Sequence, residues 1–137
     1  MDTYQSIVES LQRKGFRITL IRSALIRVFS QSRMPLAVEA VLNKLKAHKV
    51  TVYREIDFLV QQNILQSVAF GDRKKRFELA SRPHHHHAVC VKCNRIEDVM
   101  LDGDLQKEIR IIEKNKKFVI TSHSLEFFGL CNNCLAT

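Results

Sequence analysis

The sequence predicts an α+β fold of two domains, residues 1–82 and residues 83–137. Four apolar stripes with helical spacing and a hairpin pattern fill the first part, and short strand patterns around one helix fill the second. The first part contains 15 Lys and Arg against 7 Asp and Glu, which is the whole net charge of +8, whereas the second contains 7 of each. All four cysteines and five of the six histidines lie in the second part. Net charge and the content of cysteine and histidine therefore both change near Pro83.

The composition is typical of a globular protein, with 45% apolar and 26% charged residues. No stretch approaches the ~18 apolar residues that cross a membrane, and the first residues lack the apolar core of a signal peptide. We therefore expect a cytoplasmic protein without a membrane partner. Because cysteines stay reduced in the cytoplasm, a disulfide framework is the weaker explanation of the four thiols.

Residues 1–63 predict four short helices. The first has Tyr4, Ile7, Val8 and Leu11 on one face and ends at Gly15, a residue that favours the left-handed conformation. Thr19 is a suitable N-cap for the second, and the fourth ends at Asn63, which also tolerates that conformation. The apolar stripes of helices two to four are Ile21, Leu25 and Val28; Val38, Val41, Leu42 and Leu45; and Val52, Ile56, Leu59 and Val60.

Two β-prone runs, 64–70 and 77–79, flank the turn at Gly71-Asp72 and four consecutive cations, and they predict a basic hairpin. Short helices followed by such a hairpin predict a winged helix-turn-helix, whose fourth helix would enter the major groove of DNA. Positive charge favours the same partner, because cations release counterions from phosphates. A basic surface without a specific partner is the alternative. The residues expected to face DNA are Lys49, Thr51, Tyr53 and Arg54 on the helix, and Arg73 and Lys74 on the wing.

The second domain is predicted as a small mixed α/β unit. Strands are expected at 87–91 and 95–99 around a turn at Cys93-Asn94, a helix at 102–115, and further strands at 118–120 and 125–128. An exposed strand at 118–120 or 125–128 that pairs with its copy would make a twofold homodimer.

The cysteines form two Cys-x-x-Cys pairs, Cys90 with Cys93 and Cys131 with Cys134. Two such pairs supply the four thiolates of a tetrahedral structural zinc site, which would stabilise the fold rather than catalyse. An iron–sulfur cluster, or a redox pair at one Cys-x-x-Cys, is the alternative.

The run from His84 to His87 is the second candidate metal-binding segment. In an extended chain, His84 and His86 face one way, and His85 and His87 face the other, so the run can serve two sites. Candidate further ligands are Glu78, Glu97, Asp104 and His123. A solvated histidine tract without bound metal is the alternative.

Taken together, these motifs resemble the ferric uptake regulator (Fur) superfamily of metal-dependent bacterial repressors. The resemblance rests on Arg17-Ile18-Thr19, Thr51-Val52-Tyr53-Arg54, Phe77-Glu78-Leu79, the histidine run, both cysteine pairs and the stretches 123–125 and 129–131. It implies an N-terminal winged helix, with Arg17 among the DNA-binding residues, and a C-terminal dimerisation domain. It also implies a homodimer that binds palindromic operator DNA when a sensor site is metal-loaded.

The resemblance further implies two ligand sets besides the structural zinc. A hinge or sensor site falls on Glu78, His85, His87 and Glu97, and a second site in the dimerisation domain falls on His84, His86, Asp104 and His123. Histidine and carboxylate ligands suit Fe(II), Mn(II), Zn(II) or Ni(II).

Two other functions remain open, and a third is disfavoured. A zinc-stabilised DNA-binding protein without metal sensing would not change its DNA affinity with added metal. A peroxide sensor would use iron held by histidine and carboxylate. A zinc enzyme is disfavoured, because the chain has no H-E-x-x-H, H-x-x-E-H or deaminase-type H-x-E pattern.

Overall fold

The computed structural model describes residues 2–70, 72–82, 85–101 and 105–136. They form two compact units, Met1–Arg82 and Pro83–Thr137. The first unit contains α1 (Thr3–Arg13), α2 (Leu20–Gln31), β1 (Leu36–Ala37), α3 (Val38–Lys44), α4 (Lys49–Gln61), β2 (Leu65–Val68) and β3 (Arg76–Leu79). The second contains β4 (His86–Cys90), β5 (Ile96–Val99), α5 (Gln106–Lys116), β6 (Glu126–Gly129) and α6 (Asn132–Leu135). In the part of the chain that is described, no helix has both the length and the apolar character needed to cross a membrane.

The helices of the first unit begin and end where local sequence signals predict. Gly15 has φ +89° after α1, and the amide of Phe16 donates to the carbonyl of Leu11 over 3.0 Å, which closes the helix end. At the start of α2, Thr19 Oγ1 accepts from the backbone N–H of Arg22 over 3.2 Å. Asn63 follows α4 with φ 59°. These three local predictions are confirmed.

The core of the first unit is built from the predicted helical stripes. One face of each helix is buried and packs against the buried residues of β2 and β3, so the four amphipathic helices share a single apolar interior. The buried members are Ile7, Val8, Leu11, Leu25, Ile26, Phe29, Val38, Val41, Val52, Ile56, Leu59, Leu65, Phe77 and Leu79.

The predicted hairpin is present as the antiparallel pair β2–β3, with Gln66 opposite Glu78 and Val68 opposite Arg76. Gly71 of its turn lies outside the described residues. A two-residue strand, β1, adds to the other side of β3, so the order is β1-β3-β2. Strand β1 was not predicted, because two residues are too few to show an alternating pattern. The α3–α4 pair and the β2–β3 wing confirm the α+β fold with a winged helix.

The second unit is a three-stranded sheet in the order β5-β4-β6, with β4 antiparallel to β5 and parallel to β6. The strands expected at 87–91, 95–99 and 125–128 are present within one residue of their predicted limits at each end. The strand expected at 118–120 is wrong, because these residues join neither described sheet. Instead, the amide of Ile120 donates to Glu113 Oε2 over 2.9 Å.

Helix α5 is shorter at its start than predicted. It begins at Gln106 rather than 102, because Leu105 adopts a left-handed conformation with φ 58°. Residues 102–104 lie outside the described part of the chain. No residue of α5 is buried, and Ile111 and Ile112 are 51% and 45% exposed. The apolar face of this helix is therefore uncovered within the single chain.

Candidate functional site

Helix α4 presents the predicted DNA-binding residues on its solvent-exposed face. Val52, Ile56 and Leu59 are fully buried on one face, while Lys49, Thr51, Tyr53 and Arg54 are exposed. Lys49 Nζ lies 5.8 Å from the centre of the Tyr53 ring. The buried stripe thus fixes which side of the helix remains available to a partner.

An ion pair that the sequence analysis missed joins α2 to α4. Arg22 Nε donates to Glu55 Oε2 over 2.9 Å and Arg22 Nη2 to Glu55 Oε1 over 3.2 Å, so the contact is bidentate. Arg22 Nη1 also donates to the carbonyl of Arg17 over 2.8 Å, and the guanidinium lies 3.8 Å from the centre of the Phe58 ring. Because both charged side chains are about 85% buried, with 14% and 15% exposed, the pair holds α4 in a defined orientation.

Arg22→Met is therefore expected to lower the free energy of unfolding of the first unit by about 1–3 kcal/mol, since Glu55 would stay largely buried without its cation. Tyr4 and Tyr53 are the only two tyrosines of the sequence and both lie in this unit, so tyrosine fluorescence during urea titration reports its unfolding. Arg76→Met is the matched control. Its partner Asp72 is 45% exposed, so water can solvate the carboxylate left without its cation, and we expect a much smaller loss. Equal losses in both variants would contradict a positioning role for Arg22.

The wing brings three more cations close to α4. Arg73, Lys74 and Lys75 are exposed and, with Tyr53 and Asp57 of α4, line a cleft of about 390 Å³ that also borders α3. Arg76 is engaged differently, because it forms a bidentate pair with Asp72 and lies over the Phe70 ring. The side-chain hydrogen bond from Arg76 holds the pKa of Asp72 below its usual value. Helix α4 and the wing therefore border the same cleft, and the wing contributes three positively charged side chains to it.

The four cysteines converge in the second unit. Cys90 ends β4, Cys93 lies in the following turn, Cys131 directly precedes α6, and Cys134 lies within α6. All four are free thiols, their sulfurs lie within 4.8 Å of one another, and Cys93 Sγ is 3.7 Å from Cys131 Sγ. A tetrahedral zinc with Zn–S bonds of about 2.3 Å separates its sulfurs by about 3.8 Å. The donor set and its spacing therefore fit structural zinc.

The thiols of this cluster differ in acidity. The backbone N–H of Cys93, followed by that of Cys131, lowers the pKa of the Cys90 thiol to about 6. Hydrogen bonding with the Cys90 sulfur raises the pKa of Cys134 to about 12. Four thiolates at this spacing require a positive ion to offset their repulsion.

Two histidines of the run, His85 and His87, lie near an acidic residue of β5. His85 Nε2 and His87 Nε2 lie 3.1 Å apart, and both side chains are almost fully buried. Asp98 Oδ1 lies 3.9 Å from His85 Nε2 and 3.8 Å from His87 Nε2. Two imidazole nitrogens and a carboxylate that converge in this way are a ligand set suited to a divalent metal.

Glu97, which the resemblance assigns to this site, lies elsewhere in the structure. The β4–β5 register places Asp98 opposite His87 and Glu97 opposite Ala88, so the two acidic side chains point to opposite faces of the sheet. Glu97 is exposed and forms an ion pair with Arg95. The structure therefore does not bring Glu97 to the two histidines, and the adjacent Asp98 stands in its place.

Of the other predicted ligands, Glu78, His86 and His123 lie in the described residues. Glu78 is buried in β3 of the first unit, where its carboxylate accepts from Gln66 Nε2 and Arg82 Nη1, each over 3.1 Å. In the second unit, the His86 and His123 rings lie 5.4 Å apart, centre to centre. His84 and Asp104, assigned to the same site as His86 and His123, lie outside the described residues.

A basic winged helix combined with a metal-binding α/β unit defines a class of metal-binding transcription regulators. The sequence profile of the Ferric uptake regulator family matches residues 13–128. The chain is 31% identical to the ferric uptake regulation protein of Bacillus subtilis over 138 aligned residues, which cover 93% of this chain and 91% of that protein. The chain belongs to the ferric uptake regulator family, whose members are transcription regulators and not enzymes.

Solved structures of the family share this fold. The ferric uptake regulator of Helicobacter pylori, with three functional metal binding sites, superposes with a TM-score of 0.78 at 25% identity and covers 97% of this chain and 94% of its own. The Francisella tularensis regulator, solved with iron, superposes with a TM-score of 0.76 at 26% identity, covering 88% of this chain and 96% of its own. The winged helix and the α/β unit are therefore a family arrangement.

Proposed function

We propose that this protein is a metal-dependent repressor that binds palindromic operator DNA as a homodimer when its regulatory site is metal-loaded. The observation that carries the proposal is the exposed face of α4, with Lys49, Thr51, Tyr53 and Arg54 beside the wing cations. This face lies in the unit that holds the whole net charge of +8. Cations of this kind bind phosphates, and residues at the start of a recognition helix contact base edges.

The apolar surface of the second unit supports the homodimer. Ten of the fourteen large hydrophobic side chains that are exposed in the described residues lie in this unit, including Phe118, Phe127, Phe128 and Leu135. Such a concentration of exposed apolar side chains is typical of an interface. A second copy of the chain would cover it and would place two recognition helices on the two halves of a palindrome.

The regulatory metal is proposed to bind Glu78, His85, His87 and Asp98, with Asp98 replacing the Glu97 of the sequence prediction. The support is the approach of Asp98 Oδ1 to both histidines, together with the family resemblance that adds Glu78. A bound Fe(II), Mn(II), Zn(II) or Ni(II) would supply a fixed positive centre for these ligands. Because the ligands come from both sides of residue 83, metal occupancy would favour the domain orientation that binds DNA.

A second metal site within the dimerisation domain is proposed at His84, His86, Asp104 and His123. Its support is the 5.4 Å approach of the His86 and His123 rings. The Cys90, Cys93, Cys131 and Cys134 cluster is assigned to structural zinc. Metal analysis of the purified protein, paired with DNA titrations in each metal, tests these roles. A DNA affinity that does not respond to any added metal would leave a zinc-stabilised DNA-binding protein without sensing.

Arg54→Ala is expected to weaken specific DNA binding by about 1–3 kcal/mol, because an arginine here can form a bidentate contact with guanine. Replacing both Arg73 and Lys74 with alanine should instead weaken all DNA alike and reduce the salt slope by up to about two. Both effects are measured by fluorescence anisotropy on specific and random duplexes at several salt concentrations. An unchanged sequence preference in Arg54→Ala would show that α4 is not the reading helix.

A further inference from the structure

Val50 lies in the first turn of α4 and is 67% exposed. The helix already buries Val52, Ile56 and Leu59, so core packing does not require an apolar residue at position 50. Helix formation does not favour it either, because β-branched valine has a lower helix propensity than alanine. Packing and helix formation within the chain therefore do not require valine here, and its side chain lies on the exposed face of α4 that also presents Arg54.

Val50 and Arg54 occupy the same exposed ridge of α4. They are four residues apart, so their Cβ atoms are separated by about 5–6 Å along the helix surface. Successive base pairs of DNA rise by about 3.4 Å. Two side chains at this spacing, on a helix in the major groove, reach base pairs that are one or two steps apart.

We propose that Val50 reads the 5-methyl group of a thymine within two base pairs of the guanine contacted by Arg54. The thymine methyl is the apolar group that base pairs present in the major groove, and small apolar side chains are its natural contacts. Tyr53, the neighbouring large side chain, instead borders the cleft between α4 and the wing and lies near Lys49. The inference rests on the proposed function, because it requires α4 to enter the groove.

The expected change in DNA affinity is small, but it depends on a single methyl group of the DNA. Deoxyuridine differs from thymidine only by the absence of the 5-methyl group. Burial of one such group corresponds to about a fourfold change in affinity per half-site, and about fifteenfold when both half-sites of a palindrome are changed. A contact of this size is measurable by competition titration.

The test begins with a duplex selected from a randomised pool by the wild-type protein in the presence of Mn(II). Each thymine pair of the palindrome is then replaced by deoxyuridine, and affinities are measured for wild type, Val50→Ala and Leu20→Ala. Val50→Ala is expected to fold normally, since its side chain is exposed and alanine favours the helix. Leu20→Ala is the matched control, because Leu20 is 92% exposed in the first turn of α2.

We expect one thymine pair near the Arg54 guanine to lose about fifteenfold in affinity with the wild type and with Leu20→Ala, but not with Val50→Ala. Equal sensitivity in wild type and Val50→Ala would overturn the inference, as would a wild type that is insensitive at every thymine in that range. In either case the proposed function would stand, because the selected duplex is still bound. If the selection yields no bound duplex, the proposed function fails and the inference fails with it.

Discussion

Cys93→Ser is expected to remove bound zinc and unfold the second unit, while the first unit stays folded. Structural zinc contributes an apparent free energy of about 10–16 kcal/mol in small peptides, which is comparable with the whole stability of a domain. The second unit has few other interactions that could replace this stabilising free energy. Within its described residues, only Ile96 and Cys90 are buried among the hydrophobic side chains, and α5 buries none.

The measurement combines zinc content, sedimentation and amide hydrogen exchange of full-length Cys93→Ser. We expect less than stoichiometric zinc, loss of the dimer and rapid exchange in β4 and β5, with native tyrosine fluorescence from the first unit. Asn133→Ser is the matched control, because Asn133 is exposed between Cys131 and Cys134 and leaves four thiols in place. A Cys93→Ser protein that kept its zinc and the protection of β4 would refute the structural role of the cluster.

His85→Ala is expected to leave a folded, zinc-containing dimer that no longer gains DNA affinity when metal is added. The substitution removes one imidazole of the 3.1 Å His85–His87 pair but none of the four thiols. Loss of an outer-shell partner alone lowers metal affinity about 10–100-fold, so loss of a direct ligand should cost at least as much. Operator titrations with increasing Mn(II), together with zinc analysis of the same samples, measure this effect.

The neighbouring residues of β5 supply a sharper comparison. Asp98→Asn should abolish the metal response as His85→Ala does, because Asp98 Oδ1 approaches both histidines. Glu97→Gln, on the opposite face, should preserve it, apart from the small effect of losing the exposed Arg95 ion pair. If Glu97→Gln lost the response and Asp98→Asn retained it, the assignment made from the sequence resemblance would be restored.

Glu97 and Asp98 illustrate which parts of the candidate site can be predicted from sequence and which cannot. The strand 95–99 and the alternation of the histidine run were both predictable from residue pattern. Which of two adjacent carboxylates shares a face with His87 depends on strand register, and one residue of slip exchanges the faces. The register is set by pairing with β4, so the sequence of β5 alone does not contain it.

Dependence on contacts distant in sequence also explains which other features of the fold were not predicted. Gly15, Thr19 and Asn63 act on their own helix ends, so their roles could be predicted from local sequence. Arg22 and Glu55 are 33 residues apart, and no spacing rule joins them. Residues 118–120 have strand-forming side chains, but within the described chain no strand edge is paired with them.

The parallel pairing of β4 with β6 also leads us to expect that the second unit folds after the first. His87 pairs with Glu126 and Cys90 with Gly129, so each partner in β6 is synthesised about forty residues after its partner in β4. Pairing residues this far apart in sequence costs loop-closure entropy before the stabilising contacts form. Such pairings therefore slow folding. The helices of the first unit are made earlier and can fold during synthesis. Without zinc, newly made chains are therefore expected to have a folded first unit and an unfolded second unit, which is the form that cellular proteases degrade.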